Sequence, residues 1–182
     1  MKKTFAVAIV SLMFFGTSCG DEAKVEEDQL IRVDLVDDAI AAVETWNASQ
    51  TTSLIDEGED ELEYFEINAT PTLVNIYVAT KNATEAVAFI YDADGLQDPD
   101  APQEASGSTV KWSEIDSDIT KSAVYQKVVE ALPQSDISRF VIGRDPEFDK
   151  LTYRVVMVSA NGGEFAAYVD PSGKIIGGDL LG

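Results

Sequence analysis

No histidine occurs in the 182 residues, and cysteine occurs once, at Cys19. Without imidazole the chain lacks the usual neutral-pH general base, which excludes Ser-His-Asp triads, Cys-His pairs and His-based zinc or iron sites. A single thiol excludes any disulfide within the chain. Positive charge is scarce as well: 13 Lys and Arg stand against 33 Asp and Glu, a formal charge of −20. No stripe of Lys and Arg interrupts that acidity, and phosphate backbones would be repelled, so nucleic acid is excluded as a partner. Long hydrophobic runs are missing too. The stretch Phe5 to Phe15 has eleven residues, too few to span a bilayer and the length of a signal-peptide core. Carboxylate chemistry and oxygen-ligand metals such as calcium pass these filters.

What is present begins at the amino terminus. Lys2 and Lys3 precede the apolar stretch, and Gly16-Thr17-Ser18 leads into Cys19. This arrangement resembles a bacterial lipoprotein signal, with Gly16 where a leucine-like residue is usual. The resemblance implies cleavage before Cys19, whose thiol carries lipid, with residues 1–18 removed. Each buried acyl methylene contributes about 0.8 kcal/mol, so the lipid and not the acidic body would hold the membrane. Residues 19–29 read as a solvated acidic tether. Asp21 and Glu22, just behind the cysteine, resemble a surface-export signal. The implied location is the cell envelope of a Gram-negative bacterium, lipid-anchored at the outer membrane and facing periplasm or surface.

From Leu30 the sequence repeats with a spacing of 79 residues. Ile31-Arg32-Val33 aligns with Val110-Lys111-Trp112, Asn82 with Asn161, Glu85 with Glu164, and Ala88-Phe89-Ile90 with Ala167-Tyr168-Val169. A one-residue gap then brings Asp92 over Asp170 and Gly95 over Gly173. Each copy predicts a short alternating strand (Ile31 to Leu35; Val110 to Trp112) and then an amphipathic helix. Asp34 or Asp37 would cap the first helix, whose buried face is Val36, Ile40, Val43 and Trp46 or Asn47. The second would run on the face Ile119, Ala123, Val128 and Leu132, stopped by Pro133. Strands follow at Leu62–Ile67, Leu73–Thr80 and Ala86–Tyr91, then at Ser138–Ile142, Leu151–Ser159, Glu164–Val169 and Lys174–Ile176. Asn161-Gly162 is a hairpin signal. The expected class is α+β: two tandem modules, each one helix packed on a three- to four-stranded antiparallel sheet. The units are residues 30–95 and 109–182, joined by a linker at 96–108 rich in Pro, Gly, Ser and acids.

The run Tyr153 to Val158, then Gly163 to Asp170, then Pro171-Ser172-Gly173-Lys174-Ile175-Ile176 resembles a PepSY or PepSY-like domain. A thinner version occupies Asn75 to Val78, Ala86 to Tyr91 and Asp92 to Gly95. Tandem units of this kind are also similar to secreted proteinaceous β-lactamase inhibitors. The resemblance implies a module that binds or inhibits an extracytoplasmic protein and does not catalyse.

Among candidate sites, Asp92, Asp94, Asp98 and Asp100 place carboxylates at alternate positions in a loop, as calcium sites do. The EF-hand pattern is not met, because glycine is fourth and Gln103 twelfth. The simpler expectation is a turn closed by Asp92 and Gly95. The acid run Asp56 to Glu61 is either a solvated loop or a patch for a basic partner. Trp46, Trp112, Tyr64 and Phe65 are either core residues or exposed anchors. Taken together, the sequence predicts a non-catalytic envelope lipoprotein that binds a protein partner. The alternatives are a structural or stress-related surface lipoprotein and a calcium-dependent binding module.

Overall fold

The computed structural model describes residues 31–115, 126–127, 129–131, 135–145, 150–159 and 163–181. Cys19, the tether, most of the second expected helix and the Asn161-Gly162 turn lie outside the described residues.

Helix α1 (Val36–Ser49) buries Val36, Ala39, Ile40, Val43 and Asn47, the stripe that a 3.6-residue period dictates. No side chain caps its start; Asp37 and Asp38 stand in the first turn instead, where the helix dipole favours negative charge. Asn47 fixes the other end. Its Oδ1 accepts the Leu54 N–H at 2.7 Å and its Nδ2 donates to Ser53 Oγ at 3.2 Å, so a buried amide ties the exit loop back to the helix.

Ten strands follow: β1 (Glu63–Ala69), β2 (Val74–Thr80), β3 (Glu85–Asp92), β4 (Gly95–Leu96), β5 (Gln103–Glu104), β6 (Val110–Lys111), β7 (Ser135–Asp145), β8 (Lys150–Ser159), β9 (Glu164–Val169) and β10 (Ile175–Leu181). They form one antiparallel sheet in the order β10-β9-β8-β7-β1-β2-β3-β4, with β5 also on β3 and β6 also on β1. Two separate modules, each with its own small sheet, are therefore not what the chain builds. The join is β1 against β7, with Glu66, Ile67, Asn68 and Ala69 opposite Gly143, Ile142, Val141 and Phe140. The physical reason is the sheet edge. Separate modules would leave the outer edge of β1 and of β7 with unpaired N–H and C=O groups. Pairing them satisfies that backbone and merges Ile67, Ala69, Phe140 and Ile142 into one buried cluster.

Local readings are corrected as well. The strand expected at Ile31–Leu35 is a 3₁₀ turn at Val33–Leu35, because both edges of β1 are already taken. Arg32 N–H instead reaches Thr70 O at 3.0 Å. The strand expected through Trp112 ends at Lys111, and Trp112–Glu114 is a second 3₁₀ turn. Residues 96–108 do not hang between modules. Gln97, Asp100 and Ala105 donate their N–H groups to Ile90, Ala88 and Thr84 carbonyls, and Gln103 and Glu104 pair with Ala86 and Glu85. The segment lies along the outer edge of β3.

Matched features recur in the two halves, 79 residues apart on β2 and β8, 78 on β3 and β9, and 73 on β1 and β7. A bulge between Tyr64 and Glu66 sits opposite Val78 and Tyr77; a second, between Ile137 and Arg139, sits opposite Met157 and Val156. Val74 pairs with Tyr91 as Tyr153 pairs with Val169. One face of the sheet, carrying Ile76, Val78, Phe89, Phe140, Tyr153 and Val155, packs into the core that α1 covers in the first half. The other face, the open face, is not covered by α1, although Asn68, Val141, Thr152, Val156 and Ala166 on it are buried.

Candidate functional site

Strand alternation sends every second residue to the open face, and the register sets these residues in rows. One row reads Ile90, Asn75, Asn68, Val141, Arg154 and Tyr168; the next reads Ala88, Tyr77, Glu66, Gly143 and Thr152. Between and beside them run three adjoining depressions. The first, about 180 Å³, lies at the β1–β7–β8 junction between Phe65, Gly143, Arg144, Arg154 and Tyr168. The second, about 420 Å³, shares Phe65 and Glu66 with it and extends to Tyr77, Arg139 and Ser106. The third, about 390 Å³, shares Tyr77, Ala86 and Ala105 with the second and reaches Asp100. Together they make a trough across the sheet.

Gly143 creates the first cleft. A Cβ there would stand 3.1 Å from the Phe65 carbonyl oxygen, a tight approach to backbone, and the missing side chain leaves space between Glu66 and Thr152. Beside it, Arg154 Nη2 donates to Glu66 Oε2 at 3.2 Å, while Glu66 Oε1 accepts from Asn68 Nδ2 at 3.3 Å. Two atoms of this network, Arg154 Nε and Asn68 Oδ1, are buried without a hydrogen-bond partner among the described residues. Arg144 Nε donates to Thr109 O at 3.0 Å and its Nη2 pairs with Glu114. Tyr168 donates to Asp179 Oδ2 at 3.0 Å. Burial, and then that carboxylate, hold the Tyr168 phenol above its ordinary value, so it stays a neutral donor. The Thr152 hydroxyl donates to the Lys150 carbonyl. The arrangement offers donors, acceptors and aromatic edges for binding.

The other predicted positions are placed elsewhere. Asp92 closes its own turn: Oδ1 accepts the Asp94 N–H at 2.9 Å and Oδ2 accepts Gln97 Nε2 at 2.6 Å. Asp170 does the same with the Ser172 N–H at 2.9 Å, and both turns end in a glycine of positive φ, Gly95 and Gly173. Asp92, Asp94, Asp98 and Asp100 are not gathered; no cluster of three metal-ligating side chains occurs among the described residues. The acid run is a staple: Glu59 and Asp60 pair with Lys111, Glu61 accepts from Ser113, and Asp56 accepts the Asn82 N–H. Tyr64 is fully buried and Trp46 packs edge-on against Phe89 with centroids 5.0 Å apart. Phe65 alone of the four aromatics lines the trough.

Sequence reasoning missed Tyr77, Arg139, Arg154 and Tyr168. The available signal was that three of the four arginines fall in the second half, at positions that strand alternation turns away from the core. Large exposed apolar side chains among the described residues are Tyr77 and Ile175, so the open face is not a greasy patch: Phe65, Tyr77 and Tyr168 stand there among Arg139, Arg144 and Arg154 and the carboxylates Glu66, Asp100, Glu104 and Asp145. No helix of the described residues is long and apolar enough to cross a membrane. No family model, no curated protein and no solved structure matches this chain.

Proposed function

We propose that the protein is a lipid-anchored envelope protein whose open sheet face binds an extracytoplasmic protein without catalysing a reaction on it. The observation that carries this reading is the trough: Phe65, Tyr77 and Tyr168 interleaved with Arg139 and Arg154. Tyr and Arg dominate the energetics of protein interfaces because each combines large contact area with directed hydrogen bonds. The lipid on Cys19, implied by the signal, would set the location and leave the sheet free to present that face.

A photo-crosslinking amino acid placed at Tyr77 or Tyr168 in the native host tests it. Position Ala48, exposed on α1, is the control. The expected result is one shared adduct from the two sheet positions and none from Ala48. Equal labelling at all three positions, or none at either sheet position, would reject the reading. Intact-mass analysis of the same material checks Cys19, and a bare thiol would remove the anchor.

A further inference from the structure

We infer that the end of the trough beside β3 receives a cationic side chain, lysine or arginine, carried on an extended basic segment of the partner; this rests on the binding reading above. The trough has two unlike ends. At the β7–β8 end the polar groups are engaged with one another: Arg154 with Glu66, Glu66 with Asn68, Arg144 with Glu114 and the Thr109 carbonyl, Tyr168 with Asp179. At the β3 end lies the third depression, about 390 Å³, with no Lys or Arg in its lining. Tyr77, Asp100 and Glu104 line it together with Ala86, Ala88 and Ala105. Among the described residues no hydrogen bond or ion pair engages the side chain of Tyr77, Asp100 or Glu104. Tyr77 is 37% exposed there.

What that end lacks is positive charge. Two carboxylates accept N–H bonds, an aromatic face attracts a cation, and alanine methyls leave room for an aliphatic stem to lie flat. The carboxylates are positioned before any partner arrives. Pro99 and Pro102 flank Asp100 and restrict its backbone, the Asp100 N–H donates to the Ala88 carbonyl at 3.2 Å, and Glu104 pairs in register with Glu85. A metal ion is poorly served by this set. Calcium takes about six to eight oxygens, and no group of three metal-ligating side chains occurs among the described residues. An ammonium or guanidinium group needs fewer partners. Net charge acts in the same direction at long range: at −20 the chain draws a basic segment in and repels a second copy of itself. The second depression, about 420 Å³, shares Tyr77 with the third and gives the neighbouring residues of an extended segment somewhere to lie.

The test uses the protein purified from its host membrane in a neutral detergent, and three probes. They are a decapeptide library randomised around a fixed central Lys, the same library with Gln, and calcium chloride. Enrichment on wild type should favour the Lys library by about tenfold, roughly the worth of one charge-assisted hydrogen bond. In the double variant Asp100→Asn with Glu104→Gln, which keeps the shapes and removes both charges, the preference should vanish. Glu44→Gln with Glu57→Gln removes the same two charges at exposed positions outside the trough, and should keep it. Tyr77→Leu should reduce the preference about threefold, the worth of an exposed cation–π contact. All five substituted side chains are exposed, so each variant should unfold at the wild-type urea midpoint. Equal enrichment of the two libraries on wild type would overturn the inference. So would a loss in the Glu44 and Glu57 variant as large as in the Asp100 and Glu104 variant, because overall acidity would then explain the binding. Calcium at about millimolar concentration should give no heat of binding at this end. Heat that disappears in the Asp100 and Glu104 variant would assign the depression to a metal ion and overturn the side-chain occupant. If the Tyr77 adduct forms in the host while wild type shows no Lys preference, this inference fails and the broader binding reading survives.

Discussion

In the first half of the sheet, Asn75 of β2 and Ala86 and Ile90 of β3 face the open side; in the second half the register-equivalent positions are Arg154, Glu164 and Tyr168. Across the bulges the same correspondence sets Glu66 against Arg139. The core face behaves differently. Val74, Ile76 and Val78 answer to Tyr153, Val155 and Met157, and Phe89 and Tyr91 to Ala167 and Val169, apolar throughout. The inward positions of both halves obey one constraint, burial. The outward positions vary more: Arg154, Glu164 and Tyr168 carry charge or hydrogen-bonding groups where the first half has Asn75, Ala86 and Ile90, while Val156 and Ala166 beside them are buried. The difference teaches that the face away from α1 tolerates more change between the halves than the core face does.

The comparison is most easily broken by asking whether the halves are one cooperative unit. Phe89 in the first half meets Trp46 edge-on; Phe140 in the second stacks on Tyr153 with centroids 5.5 Å apart. Both phenylalanines are essentially fully buried. Truncation to Ala should cost about 3–5 kcal/mol at either place. Because β1 and β7 share one core, each variant should lower a single unfolding transition, seen alike by circular dichroism and by tryptophan fluorescence. Two separated transitions, with Phe89→Ala moving one and Phe140→Ala the other, would show the halves to be independent.

Strands β2, β3, β8 and β9 were legible to within a residue or two because alternation is a local signal, and so were the paired Asp-x-x-Gly turns. The join between β1 and β7 was not. A strand pattern records which face is buried but not which neighbour lies alongside, and Glu66 and Arg154 meet across 88 residues of sequence. Val33 and Leu35 illustrate the converse. Their alternation with Asp34 reads as a strand, yet both edges of the neighbouring β1 are occupied by β2, β6 and β7. Residues 96–108 misled for a third reason: Pro99 and Pro102 read as linker chemistry, but proline is also what blunts the exposed side of an edge segment. The trough inherits all three difficulties, since the sheet join, the β3 edge segment and the bulge at Phe65 build it together.

A smaller effect sharpens the comparison at the β2–β3 hairpin. Lys81, Asn82 and Ala83 all have positive φ, at 53°, 56° and 57°, although none is glycine. The loop is held there by the Lys81–Glu85 ion pair at 2.6 Å, by Thr84 Oγ1 donating to Lys81 O, and by Asp56 accepting the Asn82 N–H. A left-handed L-residue costs about 1–2 kcal/mol, and Ala83 has no polar side chain to offset it. Ala83→Gly should therefore stabilise the protein, by about 0.5–1 kcal/mol once the added freedom of the unfolded chain is deducted. A raised midpoint in urea at unchanged slope would show it; a lowered midpoint would mean the stated strain is absent.

The smallest expected effect concerns the turn after β9. Asp170 accepts from the Ser172 hydroxyl, from the Ser172 N–H at 2.9 Å and from the Lys174 N–H at 3.1 Å. These bonds, the Ser172 hydroxyl foremost, hold its carboxyl below the ordinary carboxylate range. A carboxyl depressed in the folded state adds stability that is fully present above its unfolded value, near pH 4, and is lost as pH falls through the lower native value. The turn is solvent-exposed, which screens the interaction. Asp170→Asn should accordingly lower stability by less than about 1 kcal/mol at neutral pH. The gap between wild type and variant should stay level down to about pH 5 and close below pH 4. A gap that instead persisted unchanged into acid would assign the turn's stability to the shape of the Asp side chain and not to its charge. The resemblance of the two turns would then rest on backbone geometry alone, on Gly95 and Gly173 both taking the positive φ that an L side chain resists.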